Sequence, residues 1–238
     1  MKSPSYAVVF ALFAVVAVLV GVATWPHSPV VTVVAAYTGT SFLGVAVAYA
    51  GVGPKLLGKR PDGRRSVIAT VVILPYFALN AVLFALYRAT SREPAHARIV
   101  DRLHLGRRLT RAEANSVEFA GVLELAADFT EVGPLRGSPG YRSLPVLDAT
   151  APSFDELDAV LDWVAERMAH GPVLVHCALG HGRSATVVIA HLLRVGVVDD
   201  VKEGLRLLRS QRPGVHLNRA QREALRNFRA SPGGHPDG

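Results

Sequence analysis

Hydrophobic and polar positions divide the chain into two parts. No Lys, Arg, Asp or Glu occurs between residues 3 and 54, and none occurs between residues 66 and 87. Apolar runs of 18 or more residues are long enough to cross the hydrocarbon core of a bilayer, which is about 30 Å thick. The pattern therefore predicts apolar helices at 6–24, 30–53 and 66–87, and each of them is a candidate membrane span.

The second part of the chain, from residue 89 on, alternates between short apolar runs and helical periodicity. The runs at 122–125, 143–147 and 173–176 predict buried strands, and the periodic segments at 153–170, 183–195, 199–210 and 218–230 predict helices. The first of these helices has a capping box of Ser153 and Glu156 at its start and Gly171-Pro172 at its end. Strands that alternate with helices predict a small α/β domain with a parallel sheet flanked by helices.

The same patterns set the expected domain organisation. An α-helical membrane region with two or three hydrophobic helices occupies 1–88, and a polar linker follows at 89–97. The globular domain then occupies 98–230, and the Gly- and Pro-rich tail at 231–238 is expected to be disordered. A cleavable signal peptide is the alternative for residues 1–24. Such signals have apolar cores of about 7–15 residues, so the longer run found here favours a membrane helix.

The excess positive charge of the chain lies in the membrane region. Residues 1–88 contain seven Lys and Arg against one acidic residue, a net charge of +6, whereas residues 89–238 contain 19 against 18, a net charge of +1. This distribution favours membrane lipid, with its anionic headgroups, as a partner. It argues against nucleic acid as a partner, because nucleic-acid binding requires a basic patch on the folded domain.

The basic residues also bear on membrane orientation. They cluster at 54–65, with five Lys and Arg, and at 88–108, with six. A hairpin formed by 6–24 and 30–53 places both clusters on the cytoplasmic side, as the positive-inside rule requires, and leaves 66–87 as a re-entrant or interfacial segment. Three full crossings would separate the two clusters, and the length of 66–87 also permits that arrangement. We expect a multi-pass membrane protein whose globular domain is cytoplasmic.

The only cysteine of the chain, Cys177, lies in the segment HCALGHGRSAT at 176–186. One thiol excludes a disulfide framework and fits a reducing compartment. The loop between a strand end and a helix start turns backbone N–H groups into a concavity, and Gly180 and Gly182 permit the tight turn. Arg183 can bind two oxygens of an anion there, and the same field lowers the thiol pKa. The pattern favours a reactive thiolate facing a bound phosphate over a buried core cysteine.

The segment HCALGHGRSAT resembles the signature HC-x5-R-[ST] of the cysteine-dependent protein tyrosine and dual-specificity phosphatases. The resemblance extends over about 99–228 and includes IVDRLHLG at 99–106, LPVLD at 144–148 and RPGVHLN at 212–218, followed by Gln221 and Leu225. It implies that Cys177 is a nucleophile that forms a phosphocysteine, that Ser184 stabilises the departing thiolate and that His176 orients the loop. The implied phosphate-binding residues are Ala178, Leu179, Gly180, His181, Gly182 and Arg183.

A phosphatase of this kind needs a proton donor for the leaving oxygen. Asp148 is the best candidate, because it lies 29 residues before Cys177 at the end of a predicted strand. A surface-turn aspartate is the alternative interpretation of this residue. Asp155 and Asp158 lie on the predicted helix at 153–170 and are better explained as residues of its N-terminal region.

The loop side chains bear on the substrate. Ala178, Leu179 and His181 include no lysine, whereas phosphoinositide phosphatases of this superfamily commonly have lysine there, so highly phosphorylated inositol lipids are disfavoured. His181 either adds positive charge or is a solvent-exposed loop residue. A phosphotyrosine, phosphoserine or phosphothreonine protein is the expected substrate, and a phospholipid headgroup monophosphate such as phosphatidylglycerophosphate is the alternative. No metal or other cofactor is expected.

Two further classes of function are compatible with a cysteine loop. A non-catalytic phosphate-binding module is less favoured because both Cys177 and Arg183 are present. Sulfur transfer or arsenate reduction is less favoured because of the Asp148 spacing and because the chain has no second cysteine.

Overall fold

The computed structural model describes residues 3–229, and these form two compact units. The helical unit comprises the chain up to Arg60 together with Arg64–Ser91, and the sheet unit comprises Pro61–Gly63 together with the chain from Arg92 on. The tail at 231–238, predicted to be disordered, lies outside the described residues, as does Ala230 at the end of the last predicted helix.

The helical unit begins with two long helices, α1 (Pro4–Thr24) and α2 (Pro29–Val47), and the second continues as a π-helical turn to Val52. Both segments, Pro4–Thr24 and Pro29–Val52, are long and apolar enough to cross a membrane, and most of their side chains are exposed. Small residues bring α1 and α2 together. A side chain on Gly39 would lie 3.3 Å from the Ala14 carbonyl oxygen, so glycine permits the close approach.

The third apolar segment forms two helices, α3 (Val67–Val72) and α4 (Leu74–Thr90), instead of the single helix predicted at 66–87. The break lies at Ile73. Pro75 follows it and has no N–H to donate to the carbonyl of Val71, so the hydrogen-bond ladder cannot continue. The hydroxyl of Tyr37 donates to that carbonyl instead. The six residues of α3 are too few to span a membrane, and the 17 residues of α4 are at the lower limit of length for a span.

The sheet unit contains a five-stranded sheet in the order β1-β2-β5-β3-β4. The strands are β1 (His96–Val100), β2 (Leu103–Arg107), β3 (Gly121–Ala126), β4 (Tyr141–Val146) and β5 (Val173–Cys177). All neighbouring strands run parallel except β1, which is antiparallel to β2. The predicted strands β3, β4 and β5 are confirmed, whereas β1 and β2 were not predicted. The α/β class and the mostly parallel sheet are also confirmed.

Between residues 92 and 229, six helices accompany the sheet. Two are short and were not predicted, α5 (Arg111–Asn115) and α6 (Gly133–Arg136). The other four confirm the predicted helices to within about two residues: α7 (Phe154–His170), α8 (Arg183–Arg194), α9 (Val201–Gln211) and α10 (Arg219–Arg229). The capping box of Ser153 and Glu156 is present at the start of α7.

Both faces of the sheet are covered. Leu123, Val173 and Val175 lie in the main core together with buried side chains of α7, α8, α9 and α10. Val122 and Leu174 alternate with them along the strands and pack on the opposite face with a smaller cluster that includes residues of α5 and α6. Because β3, β4 and β5 are parallel, the loops that follow them lie together at the carboxyl ends of the strands. Parallel α/β proteins commonly bind ligands at this end of the sheet.

Candidate active site

The loop after β5 holds its carbonyl groups away from the thiol. Three carbonyl oxygens accept hydrogen bonds from outside the loop: Ala178 from Arg108 N–H at 3.0 Å, Leu179 from the Arg212 guanidinium at 3.1 Å, and His181 from His216 N–H at 3.2 Å. In a planar trans peptide the next N–H points opposite to the carbonyl, so the N–H groups of Leu179, Gly180 and Gly182 point inward. The loop therefore forms the predicted cradle of N–H donors.

The thiol of Cys177 lies inside this cradle. Gly180 N–H donates to Cys177 Sγ at 3.3 Å, and the Ser184 hydroxyl lies 3.2 Å from the same sulfur. Burial raises the pKa of the thiol, but the positive charge of Arg183 and the hydrogen bonds from Ser184 and Gly180 outweigh it, so the pKa is lower than usual. A lowered pKa increases the thiolate fraction at neutral pH.

Gly180 is required by the shape of the loop. Its φ is +80°, and a Cβ at this position would lie 2.5 Å from the carbonyl oxygen of Gly106 on β2. A larger residue would therefore be strained and would also collide with the neighbouring strand.

Arg183, the first residue of α8, is buried and presents one edge of its guanidinium for a ligand. Its Nη1 pairs with Asp128 and donates to the carbonyl of Val146 at 3.0 Å. Its Nε is buried and has no hydrogen-bond partner among residues 3–229. Because the Nη1 side is fixed to the protein, the edge formed by Nε and Nη2 can bind two oxygens of a tetrahedral anion.

Asp148 lies beside that edge. Its carboxylate is 3.3 Å from Arg183 Nη2, and 59% of its side chain is exposed. The two residues that follow are tied to the start of α10: the carbonyl of Ala149 accepts from Asn218 at 2.8 Å, and that of Thr150 accepts from Gln221 at 3.2 Å. The structure thus brings the predicted proton donor to the same site as the thiol and the arginine.

Two carboxylates of this site were not predicted, Asp128 and Glu131. Both are buried and lie in the loop that follows β3. Asp128 fixes Arg183, as described above. Glu131 lies 2.9 Å from Nε2 of His176, and the other ring nitrogen of His176 is 3.3 Å from the Cys177 carbonyl oxygen. The sequence contained one signal for these two residues, because both carboxylates follow closely after a predicted buried strand. Residues at the carboxyl ends of parallel strands commonly line ligand sites.

His176 and Glu131 form a fully buried ion pair behind the loop. Burial alone would lower the pKa of His176, but the carboxylates of Glu131 and Glu124 outweigh it and raise the pKa. Burial likewise acts to raise the pKa of Glu131, and the positive charge and hydrogen bond of His176 lower it instead. His176 contacts the start of the loop through the carbonyl oxygen of Cys177, and its role in orienting the loop stays a prediction.

The solvent-exposed alternative for His181 is wrong. The residue is only 9% exposed, and its Nε2 lies 2.7 Å from Glu93. Burial lowers the pKa of His181 and outweighs the opposite effect of the nearby Glu93 carboxylate. Glu93 also accepts from Gly214 N–H at 2.6 Å and from the fully buried Arg212 at 3.1 Å. We call Glu93, His181, Arg212 and Gly214 the clasp.

Comparisons with known proteins agree with this geometry. The family described as "Dual specificity phosphatase, catalytic domain" matches residues 138–231. The solved structure of Tk-PTP in the active form is 30% identical, with 56% of this chain and 95% of that chain covered and a TM-score of 0.51. The structure of DUSP15 is 20% identical, with 58% and 89% covered and a TM-score of 0.50, which concerns the fold alone. A search of curated protein sequences found no match.

Proposed function

This chain belongs to the cysteine-dependent dual-specificity and protein tyrosine phosphatase superfamily, and from that premise we propose that it is a membrane-anchored enzyme that hydrolyses phosphomonoesters of proteins through a phosphocysteine intermediate. Cys177 is the nucleophile, Arg183 and the N–H groups of the loop bind the phosphoryl oxygens, and Asp148 transfers the protons. Ser184 stabilises the thiolate when it departs, and His176 holds the loop in position.

The proposed reaction has two displacement steps. The Cys177 thiolate attacks phosphorus, the bond to the ester oxygen breaks, and protonated Asp148 gives its proton to that oxygen. Asp148 then accepts a proton from a water molecule that attacks the phosphocysteine, and inorganic phosphate and the thiolate are released. The developing negative charge lies on the phosphoryl oxygens, where the Arg183 edge and the inward N–H groups stabilise it.

One observation supports this proposal most strongly, the buried Nε of Arg183, which has no hydrogen-bond partner among residues 3–229. A buried guanidinium N–H without a partner is costly to the protein unless a ligand satisfies it. The Nε of Arg183 is such a group, and the same residue lowers the pKa of the Cys177 thiol. The anion that satisfies Arg183 is therefore placed against the nucleophile.

The loop side chains favour a substrate with one phosphate. Ala178 and Leu179 are apolar, and the ring of His181 is bound to the Glu93 carboxylate. Arg183 is thus the only Lys or Arg of the loop, which suits a phosphotyrosine, phosphoserine or phosphothreonine side chain. The helices Pro4–Thr24 and Pro29–Val52 support the anchoring, and the basic clusters at 54–65 and 88–108 support a catalytic domain on the cytoplasmic side. They also support the second candidate substrate, a phospholipid headgroup monophosphate, since a membrane-anchored enzyme meets such lipids in the bilayer.

A direct comparison of substrates tests the proposal. The full chain in nanodiscs is assayed for phosphate release from phosphotyrosyl and phosphoseryl peptides and from phosphatidylglycerophosphate in the same discs, with Cys177→Ser as the control. We expect turnover of the peptides, loss of turnover in Cys177→Ser, and an acid-trapped phosphoenzyme that the variant does not form. Turnover of the lipid but not of the peptides would show that the substrate is a phospholipid and not a protein. Turnover retained by Cys177→Ser would refute the phosphocysteine mechanism.

A further inference from the structure

A strongly basic groove lies between α9 and α10, outside the site described above. Its volume is about 490 Å³. Positions i, i+4 and i+7 of each helix face it, and they provide the six basic side chains Lys202, Arg206, Arg209, Arg222, Arg226 and Arg229. Among the lining residues that the structure describes, Asp200 provides the one carboxylate. Six like charges on two adjacent helices repel one another, so the groove favours an anionic ligand.

The basic side chains of the groove are available to a ligand. All six are exposed. Arg209 and Arg222 each donate through Nε to a backbone carbonyl, of Val215 at 2.8 Å and of Leu217 at 3.0 Å, which fixes two of the guanidinium groups. None of the six forms an ion pair with any residue between 3 and 229.

Exposed apolar side chains lie in the turn that leads into α9, one of the two helices of the groove. Among the described residues of the sheet unit, the large hydrophobic side chains that are exposed are Phe154, Val195 and Val197, each at least 40% exposed. Val195 and Val197 form the turn that precedes α9, and the ring of Phe154 lies 5.9 Å from that of Phe228 on α10. The exposed carboxylate of Asp199 lies in the same turn.

This combination identifies the kind of ligand. An acidic protein segment would require the basic side chains but not the exposed valines. A bilayer surface uses both, because anionic headgroups attract Lys and Arg while apolar side chains enter the boundary of the acyl region. Val201 and the buried Leu205 also line the groove, so its basic rim surrounds an apolar floor.

We propose that the α9–α10 groove binds anionic phospholipid headgroups and that the turn of Val195 and Val197 contacts the acyl boundary beside it. This inference rests on the proposed membrane anchoring, which would hold the domain near a bilayer. It concerns membrane binding by the catalytic domain itself and not the chemistry at Cys177. Each basic side chain near an anionic surface contributes about a fivefold change in the binding constant, and the contribution weakens as salt rises.

Hydrogen exchange of the full chain in nanodiscs tests the groove. We compare discs of phosphatidylcholine with discs that also contain phosphatidylglycerol. We expect amide exchange in 201–211 and 219–229 to slow about fivefold or more in the anionic discs, and 0.5 M salt to reverse the effect. Arg206→Glu/Arg226→Glu should abolish the protection, and Val195→Ser/Val197→Ser should reduce it. The matched control Arg98→Glu/Arg111→Glu changes the charge equally on exposed residues outside the groove and should keep the protection.

Failure of the lipid-binding inference gives different results from failure of the membrane anchoring or of the phosphatase activity. Equal exchange in both kinds of disc, or protection retained by Arg206→Glu/Arg226→Glu, would overturn the inference. Protection by a soluble polyglutamate peptide in neutral discs, with none from anionic lipid, would assign the groove to an acidic protein segment and also overturn it. If the chain fails to enter discs of either composition, the anchoring is wrong, and flotation with anionic and neutral vesicles then tests the groove directly. Peptide hydrolysis, measured in parallel, reports separately on the active site.

Discussion

The Nη1 side of the Arg183 guanidinium binds the protein, and the side formed by Nε and Nη2 is proposed to bind the phosphate. Nη1 is fixed by Asp128 and by the carbonyl of Val146, whereas Nε is buried without a partner among the described residues. We expect Arg183→Lys to lower kcat/KM by about 100-fold or more, close to the loss in Arg183→Ala, because an ammonium group cannot bind Asp128 and two phosphoryl oxygens together. Steady-state kinetics on a phosphotyrosyl peptide measures this, and near-normal activity of the lysine variant would show that charge alone suffices.

Asp128 should matter through Arg183 although it belongs to the loop after β3. Asp128→Asn keeps the shape of the side chain and removes its charge, so the guanidinium loses its fixed orientation. We expect about a tenfold fall in kcat/KM, mostly in KM because phosphate binding requires the oriented edge. The control is Asp155→Asn, an exposed aspartate in the first turn of α7. Equal kinetics for the two variants would remove Asp128 from the site.

The Cys177 thiol gives a titration that reports directly on the loop. Arg183 together with hydrogen bonds from Ser184 and Gly180 lowers its pKa, so the rate of alkylation by iodoacetamide should reach its midpoint below the ordinary thiol value of about 8.5. Ser184→Ala removes one of these hydrogen bonds and should move the midpoint upward, and vanadate should protect the wild-type thiol by filling the cradle. A wild-type midpoint near 8.5 without vanadate protection would contradict the anion cradle.

At the scale of elements, the clasp ties the segment before β1 to the loop after β5. Glu93 binds both His181 and the fully buried Arg212, and Arg212 in turn donates to the carbonyl of Leu179. We expect Glu93→Gln to lower kcat/KM about fivefold, because a neutral amide weakens charge-assisted bonds that hold the loop. The exposed neighbour Arg92 provides the control, Arg92→Gln, which should change little.

A second measurement separates positioning from general stability in the clasp variant. If Glu93 positions the loop, Glu93→Gln should weaken vanadate protection of Cys177 while the thermal unfolding midpoint changes little. A fall in the unfolding midpoint with unchanged vanadate protection would assign the clasp a purely structural role.

The elements that the sequence predicted are those with strong local signals. Strands β3 and β5 are mostly apolar, each with one ionisable residue inside the strand, Glu124 and His176, and α7 has a capping box at Ser153 and a glycine stop at Gly171. Strands β1 and β2 were missed because His and Arg interrupt their apolar pattern and because their turn places Arg102 at φ +56°, where glycine or asparagine is usual. Local patterns cannot show such pairings.

The active-site residues that the sequence predicted are likewise those that lie close together along the chain. Cys177, Arg183 and Ser184 lie within one loop and its helix, so their spacing alone predicted their proximity. Asp128 and Glu131, in the loop after β3, and Glu93, before β1, reach the cysteine loop from two other parts of the chain, 46 or more positions away from Cys177 in sequence. Their contacts depend on strand order, and the sequence by itself does not give strand order.

At the scale of the whole molecule, the helix break at Ile73 bears on the number of membrane crossings. Only Pro4–Thr24 and Pro29–Val52, among the described residues, combine the length and apolarity of a span. The segments Val67–Val72 and Leu74–Thr90 are separated, and the second contains Pro75 in its first turn. Two crossings leave both basic clusters, 54–65 and 88–108, on one side, which agrees with the positive-inside rule.

This arrangement predicts that both ends of the chain lie in the cytoplasm and that the turn at 25–29 lies outside. A reporter enzyme active only in the cytoplasm, fused at either end, should be active in both fusions, whereas the same reporter inserted after His27 should be inactive. Replacing the five basic residues of 54–65 by glutamine should weaken this preference, because they provide much of the cytoplasmic charge. An active N-terminal fusion with an inactive C-terminal fusion would mean three crossings, with the segment 66–87 spanning the bilayer in spite of its break.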